Sequence, residues 1–163
     1  MVIIIEIISF CLDYIISYIL PSTKNNLSLS TPLIIPISIY LIYPLFKKNN
    51  NSYLNIVIVI GIIYDLIFTN LPINSLLFYI IGLISIYIYK QYNISKYSNI
   101  LFIVFIIILY ETINLIVLYL FNIIDFSFSN LIYKIIHTMI TNVIYGIIIF
   151  EIINSNKKHT YYL

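Results

Sequence analysis

Asp13, Asp65, Glu111 and His137 each lie inside a long run of isoleucine, leucine and aromatic residues. An ionisable side chain near the bilayer centre costs about 2.5–3.5 kcal/mol on insertion scales, so it faces the interior of a bundle or water. Helical spacing gives each of the four a face. Glu6, Ser9, Asp13 and Ser17 line one side of the first apolar segment. Gly61, Asp65 and Thr69 form a stripe on the third, and Asn74, Phe78 and Gly82 one on the fourth. Glu111 and Asn114 share a face on the fifth. On the sixth, His137, Thr141 and Tyr145 lie beside Thr138, Asn142 and Gly146. With these stripes turned inward, a bundle has an apolar coat and a polar interior seam. Such a seam holds helices together through hydrogen bonds worth about 0.6 kcal/mol each, or it lines a ligand pocket or proton path. Glu6, Asp125 and Glu151 fall near segment ends, where the interface is expected to solvate them.

The spacing of these residues does not match catalysis. A membrane metalloprotease needs His-Glu-x-x-His, and the chain has two histidines, His137 and His159. The Gly-x-Ser-x-Gly of a rhomboid-type protease and the Gly-Asp pair of an aspartyl type are both missing. The three glycines are too far apart to cradle a phosphate. The expectation is a protein that is not an enzyme, with no catalytic residue, no cofactor and no metal.

The elements that must position the seam are membrane helices. Of the 163 residues, 62% are hydrophobic and 9% charged, against about 25% charged in a soluble domain. Apolar runs cover roughly 2–20, 29–46, 53–70, 74–90, 99–121 and 130–153. Each is near the ~20 residues that cross ~30 Å of hydrocarbon. Strand-like alternation is missing, so helices must satisfy the backbone. The first segment lacks a basic n-region and a cleavage site, so it reads as a retained helix. In the second, Pro32 suits a first turn, while Pro36 and Pro44 should bend the helix and leave carbonyls for neighbours to satisfy. The expected fold is a single all-α integral membrane domain, 1–163, of six transmembrane helices.

Lysine placement orients it. Lys47 and Lys48, Lys90 and Lys96, and Lys157 and Lys158 follow the second, fourth and sixth segments. Only Lys24 and Lys134 fall to the other side. The positive-inside rule makes the lysine-rich face cytoplasmic and puts both termini there. Cys11, the sole cysteine, excludes an intrachain disulfide and reads as a small packing residue. The surplus of Ile, Asn, Tyr and Lys, with no Ala, Arg or Trp, reads as AT-rich coding. A net charge of +2 does not suggest a nucleic-acid partner.

The stretch GIIYDLIFTN, followed by NSLLFYIIG, carries a further signal. It resembles the central signature of the MreD family of bacterial rod-shape-determining membrane proteins. That pattern has a glycine, an aspartate four residues on, a short turn, an asparagine opening the next helix and a glycine eight further. Gly61, Asp65, Asn74 and Gly82 match it. Pro32-Leu-Ile-Ile is similar to the family's Pro-Asp-Leu-Leu, with Leu33 in place of the acid, and Thr138-Met-Ile-Thr-Asn142 is similar to its final-helix asparagine motif.

The resemblance implies a non-enzymatic scaffold of the cell-wall elongation machinery in the bacterial plasma membrane. It implies an architecture similar to energy-coupling-factor transporter substrate-binding components. The implied partners are an MreC-like bitopic membrane protein, an MreB-like filament, and a peptidoglycan glycosyltransferase and transpeptidase. Asn74 is expected to cap its helix. Asp65 is expected to pair with the amide of Asn70 or Asn74, or with His137. The alternative is a vitamin-type transport component whose seam lines a pocket. Its first helix would carry Ala-x-x-x-Ala to dock a coupling subunit, and this chain has no alanine.

Overall fold

The computed structural model describes residues 1–19, 33–46, 49–69, 73–122 and 127–160. Among these the chain is helical, with no strand. The elements are α1 (Val2–Ile19), α2 (Ile34–Ile42, continued by a 3-10 turn Tyr43–Phe46), α3 (Asn50–Tyr64, continued by a π-helical turn Asp65–Thr69), α4 (Ile73–Gln91), α5 (Lys96–Leu120) and α6 (Phe128–Thr160). Among the described residues, four helices are long and apolar enough to cross a membrane: Asn50–Phe68, Ile73–Gln91, Lys96–Leu120 and Thr138–Ser155. Pro32 and Asp125 lie outside the described residues, as do Lys47 and Lys48.

Helix starts follow local chemistry. Asn49 accepts the Ser52 amide at 3.2 Å to open α3. Ser95 and Ser98 form a reciprocal capping box at the start of α5, with bonds of 2.8 and 3.2 Å. At its end, Asn122 adopts φ 55°, a left-handed conformation that asparagine tolerates.

The centre of the molecule is α2. Every residue from Leu33 to Tyr43 is buried. It packs on α1, α4, α5 and α6, while α3 packs chiefly on α4 and α5 on α6. The apolar run around 29–46 suggests a full crossing. The described helix is Ile34–Phe46, and at Pro44, which cannot donate an amide, the α-helix tightens into its 3-10 turn. Tyr53 donates its hydroxyl to the Ile39 carbonyl at 3.0 Å and ties α3 to α2. The outer faces of α1, α3, α5 and α6 carry exposed apolar side chains such as Ile3, Ile62, Leu101 and Ile140.

Candidate functional site

The polar interior resolves into two clusters. The first closes the start of α2. A helix leaves its first amides unpaired, and burying them without partners is costly. Here each is accounted for. Asn142 of α6 accepts the Leu33 amide at 3.1 Å. The two Asp13 oxygens of α1 accept those of Ile34 and Ile35 at 3.2 and 3.3 Å. Pro36 has no amide to satisfy, and the Ile37 amide makes the first intrahelical bond, to Leu33. Asp13 stands eleven residues beyond Val2, roughly 17 Å along the α1 axis at ~1.5 Å per residue. The start of α2 is therefore deep in the bundle, and a carboxylate meets the positive end of its dipole.

Two further bonds run along the same seam. Ser9 and Tyr145 share a hydrogen bond of 2.6 Å between α1 and α6. Ser38 donates to Glu6 at 3.0 Å between α2 and α1. Glu6 is thus placed differently from the interfacial position its sequence suggests: it is 6% exposed, because α2 covers that side of α1. Asn142 also donates to the Thr138 carbonyl at 2.7 Å, which fixes the orientation of its amide.

The second cluster joins α3, α4 and α5. The π-helical turn begins at Asp65 and directs its carboxylate at the start of α4. One oxygen accepts both the backbone and the side-chain N–H of Asn74, each at 3.0 Å. The other accepts the Ser75 amide at 2.8 Å. Asp65 caps α4 across the turn, and Asn74 spends its side chain elsewhere. The Tyr110 hydroxyl of α5 donates to the Asn74 side-chain oxygen at 2.5 Å. Glu111, next to Tyr110, is fully buried. Asp13, Asp65 and Glu111 all lie within electrostatic reach of the Tyr64 and Tyr110 rings.

Glycines set the approach of the helices. A Cβ on Gly61 would stand 2.5 Å from the Ser75 Cα, so the α3 and α4 backbones touch there. Gly82 faces the Leu54, Val57 and Tyr53 side chains of α3. Gly61, Asp65, Asn74 and Gly82, which carry the family resemblance, are thus gathered in one helical hairpin.

No family model, curated protein or solved structure matches this chain.

The sequence stripes divide unequally. Asp13, Asp65, Asn74, Glu111 and Asn142 are buried, as expected. On α6 the inward face is Thr138, Asn142, Tyr145 and Gly146, whereas Thr141 is exposed. His137 lies in α6 with its side chain outside the described residues, and the described partners of Asp65 are amides of α4. Glu151 is half exposed and pairs with Lys96 at 2.7 Å. Tyr110, Ser38 and Ser75 have no distinguishing signal in the sequence, since the chain has seventeen tyrosines and serines throughout. Among the described residues, the buried polar set holds four acids and no cationic side chain. Asp13 and Asp65 accept from amides and Glu6 from a hydroxyl, so these three pin helix ends and helix faces together.

Proposed function

We propose that this chain is a non-enzymatic scaffold of the bacterial plasma membrane, similar to the MreD family, that supports cell-wall elongation. Six transmembrane helices would place both termini in the cytoplasm, and the chain would dock an MreC-like bitopic protein laterally. An MreB-like filament, a glycosyltransferase and a transpeptidase would belong to the same assembly. One observation carries the reading. The four residues behind the resemblance form a single packed unit, in which Asp65 closes the start of α4 through Asn74 and Ser75 and Gly61 lets the two backbones meet. That gives the sequence pattern a physical purpose: a rigid hairpin whose outer faces are free for partners. Leu33 supplies no acid at the start of α2, and Asp13 of α1 delivers a carboxylate to that helix end.

A second reading, a vitamin-type transport component, draws on the start of α2. Helices that begin inside the membrane often point their amides at anionic substrates. In this chain Asp13 and Asn142 already occupy those amides, which favours the scaffold.

The deciding experiment is affinity purification from detergent-solubilised membranes of the native host, with mass spectrometry of what binds. An MreC-like protein or wall polymerases support the scaffold. A coupling subunit with an ATPase pair overturns it.

A further inference from the structure

The link between α4 and α5 borders a cavity of about 220 Å³ at one end of the bundle. Its apolar side is Leu41 of α2 with Phe150 and Ile153 of α6. Its polar side is Tyr92 and Asn93 of the link and Asn154 of α6. None of these three polar side chains makes a hydrogen bond among the described residues. Asn93 is exposed and Asn154 half-buried, so both carboxamides are open to a ligand. The cavity is lined by no charged side chain among the described residues, but charges flank it. Lys90 and Lys96 stand on either side of the link. Lys96 pairs with Glu151 at 2.7 Å, and Glu151 follows Phe150 on α6. Ile94 lines the cavity two residues before α5, whose start carries the positive end of a helix dipole.

Depth, size and chemistry narrow the ligand. Helix α4 ends at Gln91 and α5 begins at Lys96, and both are long enough to cross a membrane. The cavity therefore lies where hydrocarbon gives way to lipid headgroups. A cavity of about 150 Å³ holds benzene, so this one has room for roughly nine non-hydrogen atoms. That suits a glycerol headgroup and is too small for an acyl chain. A carboxamide offers an acceptor oxygen beside two N–H donors. The two hydroxyls of a vicinal diol donate and accept in the same way, so two carboxamides and a phenol match a diol. The apolar side takes the C–H face of the glycerol. An uncharged lining gives a bare phosphate no counter-charge inside, whereas basic residues at the ends of membrane helices attract an anionic headgroup from outside.

We infer that this cavity binds the headgroup of one anionic phospholipid that carries a free vicinal diol, a phosphatidylglycerol. The glycerol enters the cavity and its hydroxyls bond the carboxamides of Asn93 and Asn154. The phosphate stays at the mouth, beside the lysine-flanked link and the start of α5. The acyl chains remain in the bilayer outside. Selection comes from the diol: a headgroup with the phosphate alone leaves both carboxamides without the partner they gain from glycerol.

The test uses the full chain in nanodiscs of phosphatidylethanolamine containing equal traces of phosphatidylglycerol and phosphatidic acid with the same acyl chains. Native mass spectrometry of the ejected protein counts the lipids it keeps. The expected result is one retained phosphatidylglycerol, favoured at least tenfold over phosphatidic acid, which has the charge without the diol. The preference disappears in the double variant Asn93→Ala, Asn154→Ala. It holds in Asn51→Ala, an exposed asparagine that does not line the cavity. If the double variant does not fold, Ile94→Trp, which fills the cavity and leaves both carboxamides in place, must abolish the preference instead. Equal retention of phosphatidylglycerol and phosphatidic acid overturns the inference, since charge alone then explains binding. So does retention of no lipid, or a preference that survives both the double variant and Ile94→Trp. Displacement of the lipid by soluble glycerol 3-phosphate at the lipid's own concentration also overturns it, because the ligand is then the free polyol phosphate.

Discussion

Gly61 and Ser75 meet so closely that a Cβ on the glycine would lie 2.5 Å from the serine Cα. Real Cβ atoms do not approach backbone at that distance, so Gly61→Ala must push α3 and α4 apart. Overpacking of this kind costs about 1–3 kcal/mol. Gly146→Ala is the contrast, because there the nearest atom is the Cδ1 end of Ile103, which can rotate away. Thermal unfolding in detergent should show a clear loss for Gly61→Ala and a smaller one for Gly146→Ala. Equal losses would mean that the hairpin contact is not special.

Asp65 satisfies three N–H groups with one carboxylate. Asp65→Ala leaves those donors without their acceptor and should destabilise by about 1–3 kcal/mol. Asp65→Asn keeps one acceptor oxygen and should cost about half as much. Chemical denaturation of the purified variants gives both values. If Asp65→Asn matches the parent chain, the charge contributes nothing to the cap.

Asp13 and Asn142 serve the same helix end from opposite sides. Each alanine variant should destabilise by about 1–2 kcal/mol, the usual range for loss of a helix cap. Because both act on adjacent amides, the double variant should depart from the sum by about 0.5 kcal/mol or more. Strict additivity in a double-mutant cycle would show that the two caps act independently.

Tyr110→Phe removes the hydroxyl that holds the Asn74 side chain and keeps the ring in place. The expected cost is about 1 kcal/mol. Tyr145→Phe, which loses the bond to Ser9, should cost about 0.6 kcal/mol, the average for bonds between membrane helices. A Tyr145→Phe loss larger than that of Tyr110→Phe would reverse the ranking of the two clusters.

The sequence alone determined that the chain is helical and built for lipid. Long apolar runs with few charges leave no other way to satisfy the backbone, and the polar stripes follow from the 3.6-residue period. Burial of Asp13, Asp65, Asn74, Glu111 and Asn142 was legible for that reason. Partners were not, because a period gives a face and says nothing about which helix covers it. Glu6 illustrates the limit. Its position near a helix end suggests water, and α2 buries it against Ser38. The change of winding in α2 was equally hidden: its apolar run continues unbroken through Pro44, where the missing amide tightens the helix into a 3-10 turn. Only the tertiary structure brought Asp13 to the start of α2 and Asp65 to the start of α4. Those bonds link residues distant in sequence or set by an irregular turn, and their geometry depends on how whole helices pack.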